Sequence, residues 1–340
     1  MKALVFDGPR EIVVAEHPDP VLVEAGDAIV RVESAGLCGS DLHPYSGRER
    51  AAPGVVTGHE AVGEVVEIGA DVEGFGIGDR VIVPFTTSCG QCAACRAGLS
   101  ARCELGALFG WGDLYHVDRR LDGCQAELVR VPLASSTLVA CPDVSASHAV
   151  LLSDNLPTAL TAIERVRYQS GTLGIVGLGS VGLCAVAIAR TFGIEDVTAF
   201  DPIAERAAVA ESLGARVVSG AEVHEVGASA VVEAAGTSSA MRTSLAMARA
   251  GATISIISVQ TEHSFAITPV EAYDQNLSLA LGRASVRSAL DAHIDRLAAI
   301  DEDVVAIIVD RPGLPLDEGP WAYEAFADRR FVKATFTPER

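Results

Sequence analysis

Lysine is almost missing from this chain. Lys2 and Lys333 are the only two, so arginine carries nearly all of the positive charge. The shortage reads as a compositional habit of the source genome rather than a salt-adapted surface, because 49% of the residues are apolar. Positive charge is scarce altogether: the formal net charge is −19 and the isoelectric point is about 4.8. Such a field repels DNA, RNA and anionic membranes, which excludes nucleic acid and membrane as partners. Long apolar runs are missing too. The opening Met-Lys-Ala-Leu-Val-Phe-Asp7 loses its apolar character after four residues, too soon for a signal peptide. Later alanine-rich runs are broken by Gly, Arg or Glu before reaching the length of a membrane span. No internal repeat or low-complexity linker occurs. These absences point to a cytoplasmic protein with reduced cysteines. A chain of 340 residues suggests two domains and is ample for a large core.

What is present is most specific between Cys89 and Cys103. Cys89, Cys92, Cys95 and Cys103 follow the spacing C-x2-C-x2-C-x7-C. Zn²⁺ prefers four tetrahedral ligands, and short cysteine spacings on a tight loop supply them. Ser88, Gly90 and Gly98 give this stretch turn chemistry without helical or strand period. Four buried free thiols would not suit a polar loop; a disulfide pair is the alternative to zinc. Four sulfurs close the coordination shell, so the loop reads as a structural zinc site, and the chemistry must lie elsewhere. Cys124, Cys141 and Cys184 remain as extra reduced cysteines, Cys124 as core packing.

Residues 1–150 read as β-rich, with strand runs at 12–15, 28–32, 61–68 and 80–84. Helical spacing takes over at 155–168. From 171 to 282 apolar strand runs alternate with alanine-rich helical segments, the strands at 173–176, 197–201, 216–219, 230–234, 253–259 and 277–281. That alternation predicts a parallel doubly wound sheet. Beyond it the pattern gives a helix at 286–300, a strand at 304–309, a turn at Arg311-Pro-Gly, a helix near 320–327 and a last strand at 332–336. These last pieces do not extend the six-strand series, so the chain is expected to return to the first domain.

The first strand of the series runs into Gly177-Leu-Gly179-Ser180-Val181-Gly182. Between strand and helix, Gly177 permits a tight turn, Gly179 lets backbone approach a pyrophosphate, and Gly182 allows close helix packing. Asp201 ends the next strand at the distance expected for a carboxylate that accepts from ribose hydroxyls, and it would repel a 2′-phosphate, which favours NAD over NADP. Arg206 is a further candidate for ribose contact; an exposed helix position is its plain alternative.

In the first domain Cys38-Gly-Ser40-Asp41-Leu-His43 and Gly58-His59-Glu60 offer metal ligands. A thiolate, an imidazole and one further oxygen ligand would leave zinc a position for substrate. Taken singly, Cys38 and His59 would more often be a buried cysteine and a satisfied histidine.

Together with Gly78-Asp-Arg-Val81, the four-cysteine loop, the glycine motif and the closing Lys333-Ala-Thr-Phe-Thr-Pro338, these segments change that reading. Over essentially its whole length the chain resembles a zinc-dependent alcohol dehydrogenase of the medium-chain dehydrogenase/reductase superfamily. The resemblance implies an α/β chain in two parts: a GroES-like β-rich catalytic domain, residues 1–153 and 285–340, holding both zinc sites, and a Rossmann doubly wound parallel-sheet domain, residues 154–284, that binds NAD. It implies two Zn²⁺ per chain. The catalytic zinc would take Cys38, His59 and Asp154, with Glu60 as a transient or resting fourth ligand. Ser40 would bond the alcohol oxygen, His43 would act as a solvent-side relay base, and Asp41 would orient the ligand histidine. Phe85 matches a residue lining the substrate pocket, and Trp111, in the segment 109–113, is either a second wall or loop packing. The Asp ligand and the segment 314–326 are similar to those of formaldehyde-dehydrogenase-like and secondary-alcohol members. The implied reaction is hydride transfer between an alcohol and NAD, with an alcohol or aldehyde as partner and a homo-oligomer, tetramer or dimer, as assembly. A polyol or amino-alcohol dehydrogenase would share every motif; a nucleotide-binding relative without catalysis would not need an open zinc site.

Overall fold

A computed structural model describes residues 1–111, 121–167, 169–262 and 264–339. The chain divides into Met1–Asp154 with Ser285–Arg340, and Asn155–Ala284. The boundary falls one residue later than the sequence suggests, so Asp154 belongs with the first unit.

That first unit carries two sheets. β1 (Lys2–Gly8) pairs antiparallel with β2 (Glu11–Glu16) on one side and β4 (Val55–Val56) on the other. The larger sheet is built on β3 (Ala28–Leu37), whose Arg31 and Glu33 point outward between buried Val30, Val32 and Ser34. This alternation is the period-2 signature of a strand with one buried face. Around it lie β5 (Ala61–Ile68), β6 (Arg80–Val83), β7 (Leu128–Val131) and β8 (Val139–Ala140). The core beneath holds Val30, Val65, Val81, Phe109, Leu121 and Leu138.

The second unit is one sheet of β9 (Leu173–Val176), β10 (Val197–Phe200), β11 (Arg216–Val217), β12 (Ala228–Glu233), β13 (Ala248–Ile256) and β14 (Ser278–Leu281). The spatial order is β11-β10-β9-β12-β13-β14, and every pairing is parallel. β9 and β12 are fully buried along their length, as strands covered by helices on both faces must be. The strand order reverses between β9 and β12, and ligands of such sheets bind beyond the carboxyl ends of the strands at that point.

Two expectations for the C-terminal part fail. Residues 304–309 are not a strand; Glu302–Ile308 is a helix. The β-branched run suggested extension, but Asp301 caps the segment by accepting from the Asp303 amide, and Glu302 and Asp303 fill its first turn. Arg311-Pro-Gly is likewise more than a turn. It opens β15 (Arg311–Leu314), which pairs parallel with β16 (Ala334–Phe336). The helix expected at 155–168 covers Asn155–Glu164, and Tyr168 lies outside the described residues, as do Gly112 and Asp113 of the aromatic segment.

β16 then returns to the first unit and pairs antiparallel with β3, Ala334 opposite Leu37. On the other flank of β3, Ala35 stands opposite Ala61 of β5. These two registers bring residue 333, residues 36–38 and residues 59–60 to one end of the sheet. A buried amide ties the same region together. Gln125 Oε1 accepts from Thr57 Oγ1 at 2.6 Å and from the Tyr323 hydroxyl at 2.8 Å, while its Nε2 donates to the Gly36 carbonyl at 2.8 Å. Gly58 adopts φ +85°, and a Cβ there would run into the Gln125 side chain. Replacing Tyr323 by Phe removes one donor from this buried node and is expected to cost about 1 kcal/mol. A thermal-denaturation midpoint unchanged from wild type would show that the bond contributes nothing.

Candidate functional site

Cys38 follows β3 and caps a short 3-10 turn, Gly39–Asp41. The turn folds Asp41 back so that its Oδ2 accepts from the Cys38 amide at 2.9 Å. Its Oδ1 bonds His59 Nδ1 at 3.0 Å. A carboxylate there requires the proton on Nδ1, which leaves Nε2 free as a ligand atom. His59 Nε2 lies 3.2 Å from Ser40 Oγ and 3.6 Å from Asp154 Oδ2. Ser40 donates to Cys38 Sγ at 3.3 Å, and Cys38 Sγ is 3.5 Å from Asp154 Oδ2. Asp154 reaches this point because the helix Ala146–Ser153 stops there, its cap broken to φ −152°. One donor atom each from Cys38, His59, Glu60 and Asp154 lies within 4.8 Å of the others, and all four residues are buried.

The electrostatics fit a cation at the centre of this cluster. Burial pushes the Cys38 thiol up, and Glu60 and Asp154 push it the same way. Burial also raises Glu60, against the pull of Lys333. Burial opposes charge on His59, yet Asp41, Asp154 and Cys38 outweigh it and hold the ring well above its ordinary pKa. Burial thus pushes the Cys38 thiol and the Glu60 carboxyl toward their protonated forms, a tendency that a divalent ion would oppose. A sulfur, a nitrogen and two oxygens form a donor set that zinc accepts.

Glu60 has a second partner. Lys333 Nζ, fully buried, bonds its Oε2. Burial lowers the ammonium's affinity for its proton, but Glu60 more than compensates and raises it. Asp310 fixes the segment by accepting from the Val332 and Lys333 amides, the latter at 2.9 Å. Gly36 makes room: a Cβ there would overlap the Glu60 carboxylate. The expectation of a solvent-side His43 is corrected. The ring is buried, its Nδ1 has no hydrogen-bond partner among the described residues, and burial together with Arg48 lowers its pKa. After the turn at Ser46 and Gly47, the Arg48 and Glu49 amides donate to the His43 carbonyl. Phe85 meets the His59 ring edge-on at 6.2 Å, and Trp111 meets it at 5.4 Å.

The second cluster is Cys89, Cys92, Cys95 and Cys103. All are free thiols. Backbone amides surround the sulfurs: Cys92 and Gln91 donate to Cys89, Cys95 to Cys92, and Cys89 and Leu105 to Cys103, at 3.2–3.5 Å. Amides aimed at sulfur favour thiolate, the metal-binding form. Hydrogen bonds from the Cys95 and Glu104 backbone lower Cys92 to about 6. Cys95, desolvated and beside Cys92 and Cys103, is raised to about 12.

In the second unit Gly177 turns at φ +91°, where a Cβ would press on Ala235, and a Cβ on Gly182 would strike the Gly177 carbonyl. Gly179, the N-cap of the helix Ser180–Thr191, differs: nothing lies within 4 Å of where its Cβ would be. The protein itself does not demand glycine at that position, whereas a close-lying pyrophosphate would. Ser180, Val181 and Gly182 form the first turn. Asp201, just past β10, accepts from the Leu178 amide at 2.7 Å and the Ile203 amide at 2.9 Å, one oxygen each. Arg206 is half-buried on the helix Ala204–Ser212.

Comparison with known proteins agrees with this geometry. Residues 24–143 match the alcohol dehydrogenase GroES-like domain, and residues 180–291 match the zinc-binding dehydrogenase family. Zinc-type alcohol dehydrogenase B of Aspergillus flavus is 37% identical, over 99% of this chain and 81% of that protein. An alcohol dehydrogenase of Cupriavidus necator is 30% identical, over 97% and 96%. Among solved structures, alcohol dehydrogenase TADH from Thermus sp. ATN1 covers both chains completely at 33% identity and a TM-score of 0.90. The chain belongs to the zinc-dependent alcohol dehydrogenases of the medium-chain dehydrogenase/reductase superfamily. With membership come zinc and a nicotinamide cofactor, and a small alcohol or aldehyde as substrate. No helix among the described residues is long and apolar enough to cross a membrane.

Sequence reasoning gave no role to Lys333, Gly36, Gln125 or Glu49. A signal existed for the first, as one of two lysines in the dehydrogenase. Lys333→Met leaves Glu60 buried without its cation and is expected to lower stability by about 3–5 kcal/mol, read from chemical denaturation. The double variant Lys333→Met/Glu60→Gln should recover much of the loss; equal losses in both would remove the ion pair as the cause. At the cysteine loop, Zn²⁺ added to metal-stripped protein near neutral pH should release protons, because Cys95 keeps its proton until about 12, while Cys92, at about 6, has already lost most of its own. Affinity should therefore rise with pH. A titration in weak buffer that detects no released acid would contradict the thiol assignment.

Proposed function

We propose that the enzyme oxidises alcohols reversibly with NAD, using Cys38, His59 and Asp154 to hold a catalytic zinc, and Cys89, Cys92, Cys95 and Cys103 to hold a structural one. The observation that carries the reading is the buried convergence of one sulfur, one imidazole nitrogen and two carboxylates, with the Ser40 hydroxyl hydrogen-bonded to the cluster. When bound, zinc would supply Lewis acidity toward the substrate oxygen and the nicotinamide would supply the hydride-exchanging ring. The chain's own residues do the rest. Asp41 fixes the His59 tautomer and ring direction. Ser40, within hydrogen-bond reach of the cluster, takes the alcohol's proton, and His43 passes it onward. The lowered pKa of His43 suits this role, since a neutral ring can accept. Glu60, held back by Lys333, is the reserve fourth ligand.

Gly177, Gly179, Ser180, Val181 and Gly182 cradle the pyrophosphate. Asp201 keeps lone pairs beyond the two amides it accepts from, and these receive the ribose hydroxyls. Its charge repels a 2′-phosphate, which favours NAD over NADP, and Arg206 lies close enough in sequence to touch the same ribose. Free cysteines support a reducing, cytoplasmic setting. Exposed Val270, Tyr273 and Leu281, along with β14 at the sheet edge, support a homo-oligomer, dimer or tetramer.

Cys38→Ser is expected to abolish alcohol-dependent NAD reduction, by at least about 10³-fold on the scale of losing an essential electrophile, while NADH binding followed by fluorescence stays intact. Full turnover in this variant would remove Cys38 from the mechanism.

A further inference from the structure

Glu233, the last residue of β12, is a fully buried carboxylate in the second unit. It belongs to neither metal cluster. A carboxylate placed there needs partners, because burying one without them is costly. Its Oε1 accepts from the Ala235 amide at 2.9 Å and from the Gly236 amide at 2.7 Å. Its Oε2 accepts from the hydroxyl of Ser258, which stands just past β13. Ser258 Oγ accepts in turn from Gln260 Nε2 at 2.8 Å. Burial pushes the Glu233 carboxyl up, and the three accepted bonds pull it back.

One side chain thus ties the loop after β12 to the loop after β13. The first loop also presses on the glycine turn, since a Cβ on Gly177 would run into Ala235. Gly236 sits at φ +72°, and a Cβ there would strike the Val259 carbonyl. The two loops and the turn are therefore packed without slack. On the far side of β9, Asp201 holds the same turn through the Leu178 amide.

Sheet order decides which part of a dinucleotide meets these loops. The order runs β10-β9-β12-β13. An adenosine ribose at Asp201 lies past β10, and a pyrophosphate on the glycine turn lies past β9. The rest of the molecule continues over the next strand ends, those of β12 and β13. These are the ends that Glu233 joins.

We propose that Glu233 is a positioning residue for the nicotinamide half of the cofactor, acting through the loops 234–236 and 258–260. The proposal rests on the NAD reading given above and deepens it. Holding the loops ready matters, because a loop in its binding shape only about one-tenth of the time weakens apparent affinity about 10-fold.

The test compares two ligands on the zinc-loaded enzyme. NADH is followed by its emission, and ADP, which carries the adenosine half alone, by calorimetry. Glu233→Ala should weaken NADH by about 10-fold or more while ADP stays within about twofold. Ser258→Ala frees only the second loop and should weaken NADH by a smaller factor, again without ADP. Glu233→Gln keeps a carbonyl oxygen for the two amides and should recover most of the affinity. Should Glu233→Ala fold poorly, Ser258→Ala carries the comparison.

Equal weakening of NADH and ADP would overturn the proposal, because a merely loosened fold harms both halves alike. NADH affinity unchanged in Glu233→Ala and Ser258→Ala would also overturn it, and would leave the cofactor reading standing. Wild-type enzyme that binds neither ligand would sink the NAD reading and the proposal with it.

Discussion

Four acidic or metal-seeking side chains, Cys38, His59, Glu60 and Asp154, are buried within reach of one another, and much of the surrounding structure keeps that arrangement tolerable. Burying ionised groups is costly unless they are paired and hydrogen-bonded. Three of the members have a dedicated neighbour outside the cluster. Asp41 holds the far side of His59, Ser40 donates to the Cys38 sulfur, and Lys333 neutralises Glu60. Gly36 has no side chain because the Glu60 carboxylate fills that space. A divalent cation would offset the negative charge that remains, which makes this cluster of displaced pKa values a candidate metal centre.

Sheet register is what assembles it. The pairing of Leu37 with Ala334 and of Ala35 with Ala61 aligns three strands from distant parts of the chain. Gln125 then joins Thr57, Tyr323 and the Gly36 carbonyl in one buried node. The candidate metal site is therefore supported by the core of the unit rather than by a flexible loop. The cysteine loop follows a different principle. Its sulfurs are held by backbone amides of the loop itself, so it needs only short spacing and turn residues.

That contrast explains how much could be read from the sequence. Local patterns were legible: the cysteine spacing, the glycine turn, and the buried apolar runs of β9 and β12. Asp154 could be reached only through resemblance to a family, because its partners lie 94 or more residues earlier in the chain. The Lys333–Glu60 pair spans 273 residues and leaves no periodic trace, although a lone internal lysine in an arginine-rich chain was a hint. The run Val-Val-Ala-Ile-Ile was misread as a strand because side-chain branching was weighed above the Asp301 cap. The burial of His43 was missed because it depends on tertiary packing, which no local propensity encodes.

The most direct test of the account is the zinc content of purified protein together with X-ray absorption at the zinc edge. Two zinc ions per chain are predicted, one with four sulfur neighbours and the other with a single sulfur among nitrogen and oxygen. One zinc per chain in an all-sulfur shell would contradict it, since Cys38, His59 and Asp154 would then hold no metal.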